Sequence, residues 1–202
     1  MLLISLWLLV AFGAAQAESP ANWSANRPPC NQHSELLKRG HMDLGVRVAT
    51  INPLLAEQFR RAMDSWAKIV DLDWHEDDTE NCSIQVFDGT PDLFQPVVVA
   101  ARSQLPDRND FQGWIAFNPR VKLTKQEMFL DSVHEIGHLL GLAHNANESS
   151  VMYASELPKS TTLNAADLDA LAARHKLRPE LSHRGRMARV RVTEPRENVA
   201  RQ

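Results

Sequence analysis

The segment that decides the fold is His134-Glu135-Ile136-Gly137-His138-Leu139-Leu140-Gly141-Leu142-Ala143-His144. Its first two histidines are four residues apart, so on an α-helix both rings project from one face, about one turn apart. Zinc binds imidazole nitrogen at about 2.0–2.1 Å, and a catalytic zinc site uses three protein ligands and keeps one position open. The spacing therefore predicts that His134 and His138 reach a single zinc ion without bending the backbone.

The third histidine, His144, cannot project from the same helical face, because it lies six residues after His138. The chain has to leave the helix and turn back, and Gly141 stands where that turn is needed. Glycine adopts the left-handed conformation at helix ends without a steric penalty from a Cβ atom. We therefore predict that Gly141 supports the site and that His144 approaches the metal from a second direction.

Glu135 follows the first histidine and is rotated from it by about 100° around the helix. Its carboxylate is thus expected beside the metal rather than on it, where it could act as a general base. Two other interpretations stay open. The histidines could lack a joint role, or the zinc could be structural, although structural sites usually recruit a fourth Cys or His and none lies nearby in the sequence.

The eleven-residue segment matches H-E-x-x-H-x-x-G-x-x-H, the extended zinc motif of the metzincins. Ser150-Val151-Met152-Tyr153 resembles their Met-turn, and a Tyr directly after the Met is similar to the matrixins, the matrix metalloproteinase family. Phe129-Leu130 before the motif and the late segment 164–176 also resemble matrixins. The resemblance covers roughly residues 40–177.

This resemblance implies an α+β, zincin-like catalytic domain: a twisted five-stranded mixed sheet with two long helices and a C-terminal helix. It implies that Met152 forms a hydrophobic floor beneath the zinc ligands and that substrate lies extended along an edge strand. By order along the chain, that edge is the segment 97–103. The residues expected to bind substrate are Val97, Val98, Val99, Ala100, Leu130 and Asp131.

Three residues depart from the usual matrixin pattern. Asn145 stands where the family has Ser, and Ala154 where it has Pro. Asp131 stands where an apolar residue usually helps to wall the specificity pocket. A charge there could favour a basic substrate side chain or could simply face solvent. The histidines of the family's structural zinc are not recognisable, so we expect one zinc ion only.

The motif and the resemblance together predict a secreted zinc endopeptidase that hydrolyses peptide bonds of proteins by a zinc-bound water with Glu135 as general base. Two alternatives are a catalytically silent peptide-binding module of the same fold and a zinc hydrolase acting on other substrates. No Ser or Cys nucleophile motif competes with the zinc motif.

The flanking sequence predicts the other elements from its patterning. Apolar residues alternate from Met42 to Val48 as in a half-buried strand, and a helix opens at Asn52-Pro53. Capping patterns start further helices at Thr124 and Asn164. Further strands are predicted at Leu72–His75, Ser83–Phe87, Val97–Ala101 and Gly113–Phe117, and the Val/Ala run of the third suits burial on both faces.

The 202 residues suffice for one ordinary domain, and a net charge of -3 gives no reason to expect nucleic acid as a partner. Residues 1–17 form an apolar run ending in Ala15-Gln16-Ala17, which is typical of a secretory signal peptide. About 15 apolar residues are too few to span a bilayer. We therefore expect a secreted, extracellular and monomeric protein, with an irregular N-terminal arm over residues 18–40 and the catalytic domain over 41–177.

The chain has two cysteines, Cys30 and Cys82. In an exported protein such a pair usually forms a disulfide. The alternative is a latch in which Cys30, after Arg27-Pro28-Pro29, blocks the zinc, as in the pro-segments of related proteases.

Residues 178–202 carry seven Arg and three Glu. We predict a disordered basic tail, which could instead contact acidic glycans or the cell envelope. The acidic turns 76–78 and 107–110 offer oxygen ligands suited to Ca²⁺, but neither has a recognisable ligand spacing, and solvated turns are the simpler interpretation.

Overall fold

A computed structural model describes residues 28–154, 157–160, 162–182 and 189–192. The predicted signal peptide, residues 1–17, and the first part of the predicted arm lie outside the described residues. The strands are β1 (Met42–Ala49), β2 (Leu72–Glu76), β3 (Ile84–Asp88), β4 (Ala101–Ser103), β5 (Trp114–Phe117), β6 (Thr162–Asn164) and β7 (Arg189–Arg191). The helices are α1 (Pro53–Ala67), α2 (Lys125–Leu139), α3 (Ala165–Arg174) and α4 (Pro179–Ser182).

Five strands form one mixed sheet in the order β2-β1-β3-β5-β4. The pairs β1–β2, β1–β3 and β3–β5 are parallel, and β4 pairs antiparallel with β5 at the edge. The long helices α1 and α2 share the core, where the buried Trp66 indole donates a hydrogen bond to the Val133 carbonyl at 3.1 Å. The expected α+β class with a five-stranded mixed sheet is confirmed.

Side-chain caps start the three main helices where the sequence places them. The Asn52 side chain accepts hydrogen bonds from Leu54 and Leu55 at the start of α1. Thr124 and Glu127 form a reciprocal capping box at α2, and Asn164 and Asp167 form one at α3. Such caps satisfy backbone N–H groups that have no partner inside the helix. The start of the histidine-bearing helix is thereby fixed locally.

The predicted strand Val97–Ala101 is wrong in its placement. The strand begins only at Ala101, while Val97 and Val98 are 59% and 48% exposed. The Asn118 side-chain amide donates to the carbonyls of Val97 and Val99, at 2.9 and 3.0 Å. These carbonyls are therefore satisfied by a side chain instead of a neighbouring strand, and residues 96–99 close a turn through Val99 N–H to Pro96 O at 3.1 Å.

The N-terminal arm is tied to the sheet by a disulfide between Cys30 and Cys82. The buried Arg47 guanidinium adds hydrogen bonds to the carbonyls of Pro28 and Thr79, at 2.7 and 2.5 Å. A short 3₁₀ helix, His33–Leu37, brings Leu36 into the core. Because the Cys30 sulfur is bonded, it is unavailable as a zinc ligand, and the latch interpretation is wrong for this state of the chain.

Within segment 178–202 the structure describes residues 178–182 and 189–192, and the disordered basic tail stays a prediction. The Arg178 guanidinium donates to the carbonyls of Ala67 and Leu72, at 2.9 and 2.6 Å. Further on, β7 pairs antiparallel with β6, and Val192 is buried. Backbone pairing and one buried apolar side chain thus attach residues 189–192 to the rest of the domain. None of the described helices combines the length and hydrophobicity needed to cross a bilayer.

We expect loss of the disulfide to lower the free energy of unfolding by about 4 kcal/mol, the chain-entropy value for a loop of this length. The two cysteines are 52 residues apart in the sequence. The test is urea unfolding of the Cys30→Ser/Cys82→Ser double variant, followed by tryptophan fluorescence, with Ser34→Ala as the surface control. Two titratable thiols in the unreduced, denatured wild type, or a double variant as stable as wild type, would contradict this.

Candidate active site

Three imidazole rings converge at the C-terminal end of α2. The Nε2 atom of His138 lies 3.0 Å from that of His134 and 3.2 Å from that of His144. Tetrahedral zinc with ligands at 2.0–2.1 Å separates its ligand atoms by about 3.3 Å. Both distances are close to that value, the three ligand atoms all lie within 4.8 Å of one another, and imidazole nitrogen is a donor that zinc prefers.

Backbone carbonyls orient two of these rings. The Nδ1 atom of His134 lies 2.7 Å from the Val151 carbonyl, and that of His138 lies 2.7 Å from the Leu142 carbonyl. A carbonyl only accepts hydrogen bonds, so each Nδ1 carries the proton and each Nε2 presents its lone pair toward the other rings. Burial also lowers the pKa of His134 to about 4 and that of His138 to about 3, which favours the neutral form that binds metal.

The return of the chain toward His144 depends on Gly141, as the sequence predicts. Gly141 has φ of +87°, in the left-handed region. Its N–H donates to the His138 carbonyl, and the Leu142 N–H donates back to the Gly137 carbonyl, both at 2.9 Å. This closes the helix and reverses the chain within two residues.

Met152 is fully buried and packs against α2 at Gly137, the residue before His138. A Cβ atom on Gly137 would lie 2.6 Å from the Met152 sulfur, so the glycine is what permits this close approach. The role of Met152 as a hydrophobic floor beneath the zinc ligands stays a prediction.

A hydrogen-bond network that sequence reasoning missed holds the loop around the site. One Asp167 oxygen accepts from the Asn145 amide at 2.8 Å, and the other accepts from the Ser150 hydroxyl at 2.7 Å. The Asn145 N–H also donates to the Met152 carbonyl at 2.8 Å. Asp167 thus joins the residue after the third histidine to the turn that contains Met152. The capping pattern at Asn164 predicted the start of α3, but it gave no indication of the contacts of Asp167 with Asn145 and Ser150.

The Glu135 carboxylate is buried beside the histidines and accepts a hydrogen bond from the Ser103 hydroxyl at 2.5 Å. Burial raises the pKa of Glu135 to about 7, while the Ser103 hydrogen bond and the positive charge of Arg102 oppose that rise. A carboxyl with a pKa near neutrality is suited to accept and return a proton at physiological pH. Ser103 lies inside the predicted edge segment, yet its contact with Glu135 could not be read from the sequence.

An open cleft of about 660 Å³ lies between β4 and α2 and contains the histidines and Glu135. Of the residues predicted to bind substrate, Val99, Ala100 and Asp131 line it. Val97 and Val98 do not line it, because they belong to the exposed turn before β4. Leu130 is buried in the core and does not line it either.

Comparison with known proteins agrees with this architecture. The family model described as Matrixin matches residues 49–175, more than half of the chain. The chain belongs to the matrixin family. The expected resemblance is thereby confirmed, and the family is one of zinc metalloendopeptidases.

Relatives of this matrixin include plant and human proteins. This chain is 31% identical over 118 residues to Metalloendoproteinase 1-MMP of Arabidopsis thaliana, and the match covers 50% of this chain and 32% of that protein. It is 28% identical over 148 residues to Metalloendoproteinase 1 of Glycine max, covering 63% and 48%. A 51-residue segment is 41% identical to human Matrix metalloproteinase-26, covering 24% and 20%. The matches thus span less than half the length of each relative.

We expect Gly141→Ala to weaken zinc binding and to destabilise the fold by about 1–2 kcal/mol, the cost of a left-handed non-glycine residue. The added Cβ would also lie 2.6 Å from the Arg174 side chain. The matched control is Gly40→Ala, where a Cβ meets nothing within 4 Å. Competition titration with a chromophoric chelator measures zinc affinity. If the two variants bind zinc equally well, the role of Gly141 is refuted.

Proposed function

We propose that this matrixin is a secreted zinc endopeptidase that hydrolyses internal peptide bonds of proteins. The observation that carries the proposal is the convergence of three imidazole Nε2 atoms beside one buried carboxylate, inside an open cleft. Both plant relatives reported above carry the name metalloendoproteinase, which agrees with an endopeptidase function.

In this proposal His134, His138 and His144 hold one zinc ion. Zinc in such a site supplies Lewis-acid chemistry, polarising the scissile carbonyl and lowering the pKa of water toward 7. The carbonyls of Val151 and Leu142 keep two of the rings in the tautomer that leaves Nε2 free for the metal.

Glu135 is the proposed general base and then the general acid. Its carboxylate takes a proton from the attacking water and passes it to the leaving amine, so no side-chain nucleophile is required. The Ser103 hydroxyl holds one carboxylate oxygen, which limits the orientations that the group can adopt.

The peptide is proposed to lie along the outer side of β4. This strand is at the edge of the sheet, pairs with β5 on one side, and borders the cleft through Ala101, Arg102 and Ser103. Free backbone groups at a sheet edge can pair with an extended peptide as an added strand.

Secretion is proposed on the apolar segment 1–17 and on the Cys30–Cys82 disulfide, because such bonds persist in oxidising compartments. Contact of the basic C-terminal segment with acidic glycans stays a prediction.

The proposal is tested by cleavage of casein and of a quenched peptide by the purified chain. We expect activity that is abolished by a zinc chelator and restored by added zinc.

Glu135→Ala should retain one zinc ion and lose at least about 1,000-fold in kcat/KM, within the range known for loss of proton-transfer catalysis. Glu57→Gln, on the exposed surface of α1, is the control and should keep wild-type activity. Zinc binding without cleavage in the wild type would favour a silent peptide-binding module, and activity in Glu135→Ala would overturn the role of Glu135.

A further inference from the structure

Asp131 is a buried carboxyl group in the wall of the cleft. It lies on α2 one turn before Glu135, lines the same cleft, and is only 4% exposed. Its Oδ2 atom is buried and accepts no hydrogen bond from any described residue. The possibility raised by the sequence that this side chain faces solvent is therefore wrong.

The surroundings of Asp131 are acidic. Glu127, Asp131 and Glu135 follow one another at four-residue spacing, so they lie on one face of α2. Glu127 caps the helix at the Thr124 N–H, at 2.7 Å, and Glu135 is bonded to Ser103. Burial, and then the charges of Glu135 and Glu127, raise the pKa of Asp131 to about 8.

The positive side chains that border the cleft have other partners. Arg108 forms a two-point ion pair with Asp110, at 2.9 and 3.2 Å, and Arg102 donates to the Gln95 carbonyl at 2.6 Å. Within the described residues, no basic group acts to lower the pKa of Asp131. Near pH 7 a carboxyl in this environment holds its proton, and its buried Oδ2 atom still has no hydrogen-bond partner among the described residues, so packing of the core does not account for it.

We propose that Asp131 is a specificity-determining residue that selects substrates carrying a Lys or Arg side chain beside the cleaved bond. The inference rests on the proposed endopeptidase function. Four residues, a rise of about 6 Å, separate Asp131 from Glu135 along α2, and both side chains line the same cleft. An ammonium or guanidinium group entering the cleft supplies the missing hydrogen-bond donor and a positive charge that favours the ionised carboxylate. An apolar side chain would leave the carboxyl buried and unpaired.

The test compares two quenched peptides that differ at one position. In the first, the residue beside the cleaved bond is Lys, and in the second it is norleucine, which has nearly the same length without the charge. A series of such pairs places the substitution on either side of the bond. The zinc-loaded full chain is expected to cut one Lys peptide at least about tenfold faster in kcat/KM than its norleucine partner. In Asp131→Asn this ratio should fall by about 10- to 100-fold, the usual effect of losing a charged hydrogen-bond partner.

The ratio does not depend on the fraction of correctly folded enzyme, so a less stable variant does not obscure it. The control is Asp92→Asn, at an exposed position that precedes β4 in the sequence, and it should keep the wild-type ratio. Failure of the wild type to cut any peptide refutes the endopeptidase function itself. Cleavage with a preference for norleucine, or a Lys preference that persists in Asp131→Asn, refutes the specificity role alone. If Asp131→Asn does not fold, the wild-type ratio still tests the proposal, because a wild type that prefers the norleucine peptide refutes the specificity role of Asp131.

Discussion

The structure depends on bringing three imidazole nitrogens to one point. A helix can supply two of them from one face, but no helical spacing supplies a third that approaches from another direction. The chain therefore ends α2 at once and reverses at Gly141, whose left-handed conformation makes the reversal possible. The position of His144 follows from that single backbone feature, and the loop that comes after it has to be held in place by contacts from elsewhere in the domain.

Those contacts come from two layers around the rings. The first consists of carbonyl groups of Val151 and Leu142, which fix the orientation of two imidazoles. The second consists of Asp167, which accepts hydrogen bonds from Asn145 and Ser150. These two residues belong to the loop that follows His144, called the site loop here. Because Asp167 also caps α3, the C-terminal helix and the site loop are stabilised by the same carboxylate. A ligand whose ring is fixed by its neighbours loses less entropy when it binds metal, which is the physical value of this arrangement.

Local signals in the sequence predicted most of what positions the site. The caps at Asn52, Thr124 and Asn164 bond to backbone groups within three or four residues of themselves. The left-handed conformation at Gly141 likewise depends on the residue type at that one position. Both features can therefore be recognised from a short stretch of sequence. The strand predicted at Val97–Ala101 failed for a different reason. Whether an apolar run becomes a strand depends on a partner for its backbone, and the Asn118 side chain took that place. The contacts of Ser103 with Glu135 and of Asn145 with Asp167 join distant parts of the chain, and no pattern in the sequence encodes them.

The central claim is that three imidazoles hold one zinc ion with a coordination position left for solvent. Zinc K-edge X-ray absorption on the purified chain, combined with metal analysis, tests it most directly. The account predicts one zinc per chain, no sulfur ligand, and scattering from three imidazole rings with Zn–N distances of about 2.0–2.1 Å. Substoichiometric zinc in the presence of excess metal, a sulfur ligand, or fewer than three imidazoles would contradict it.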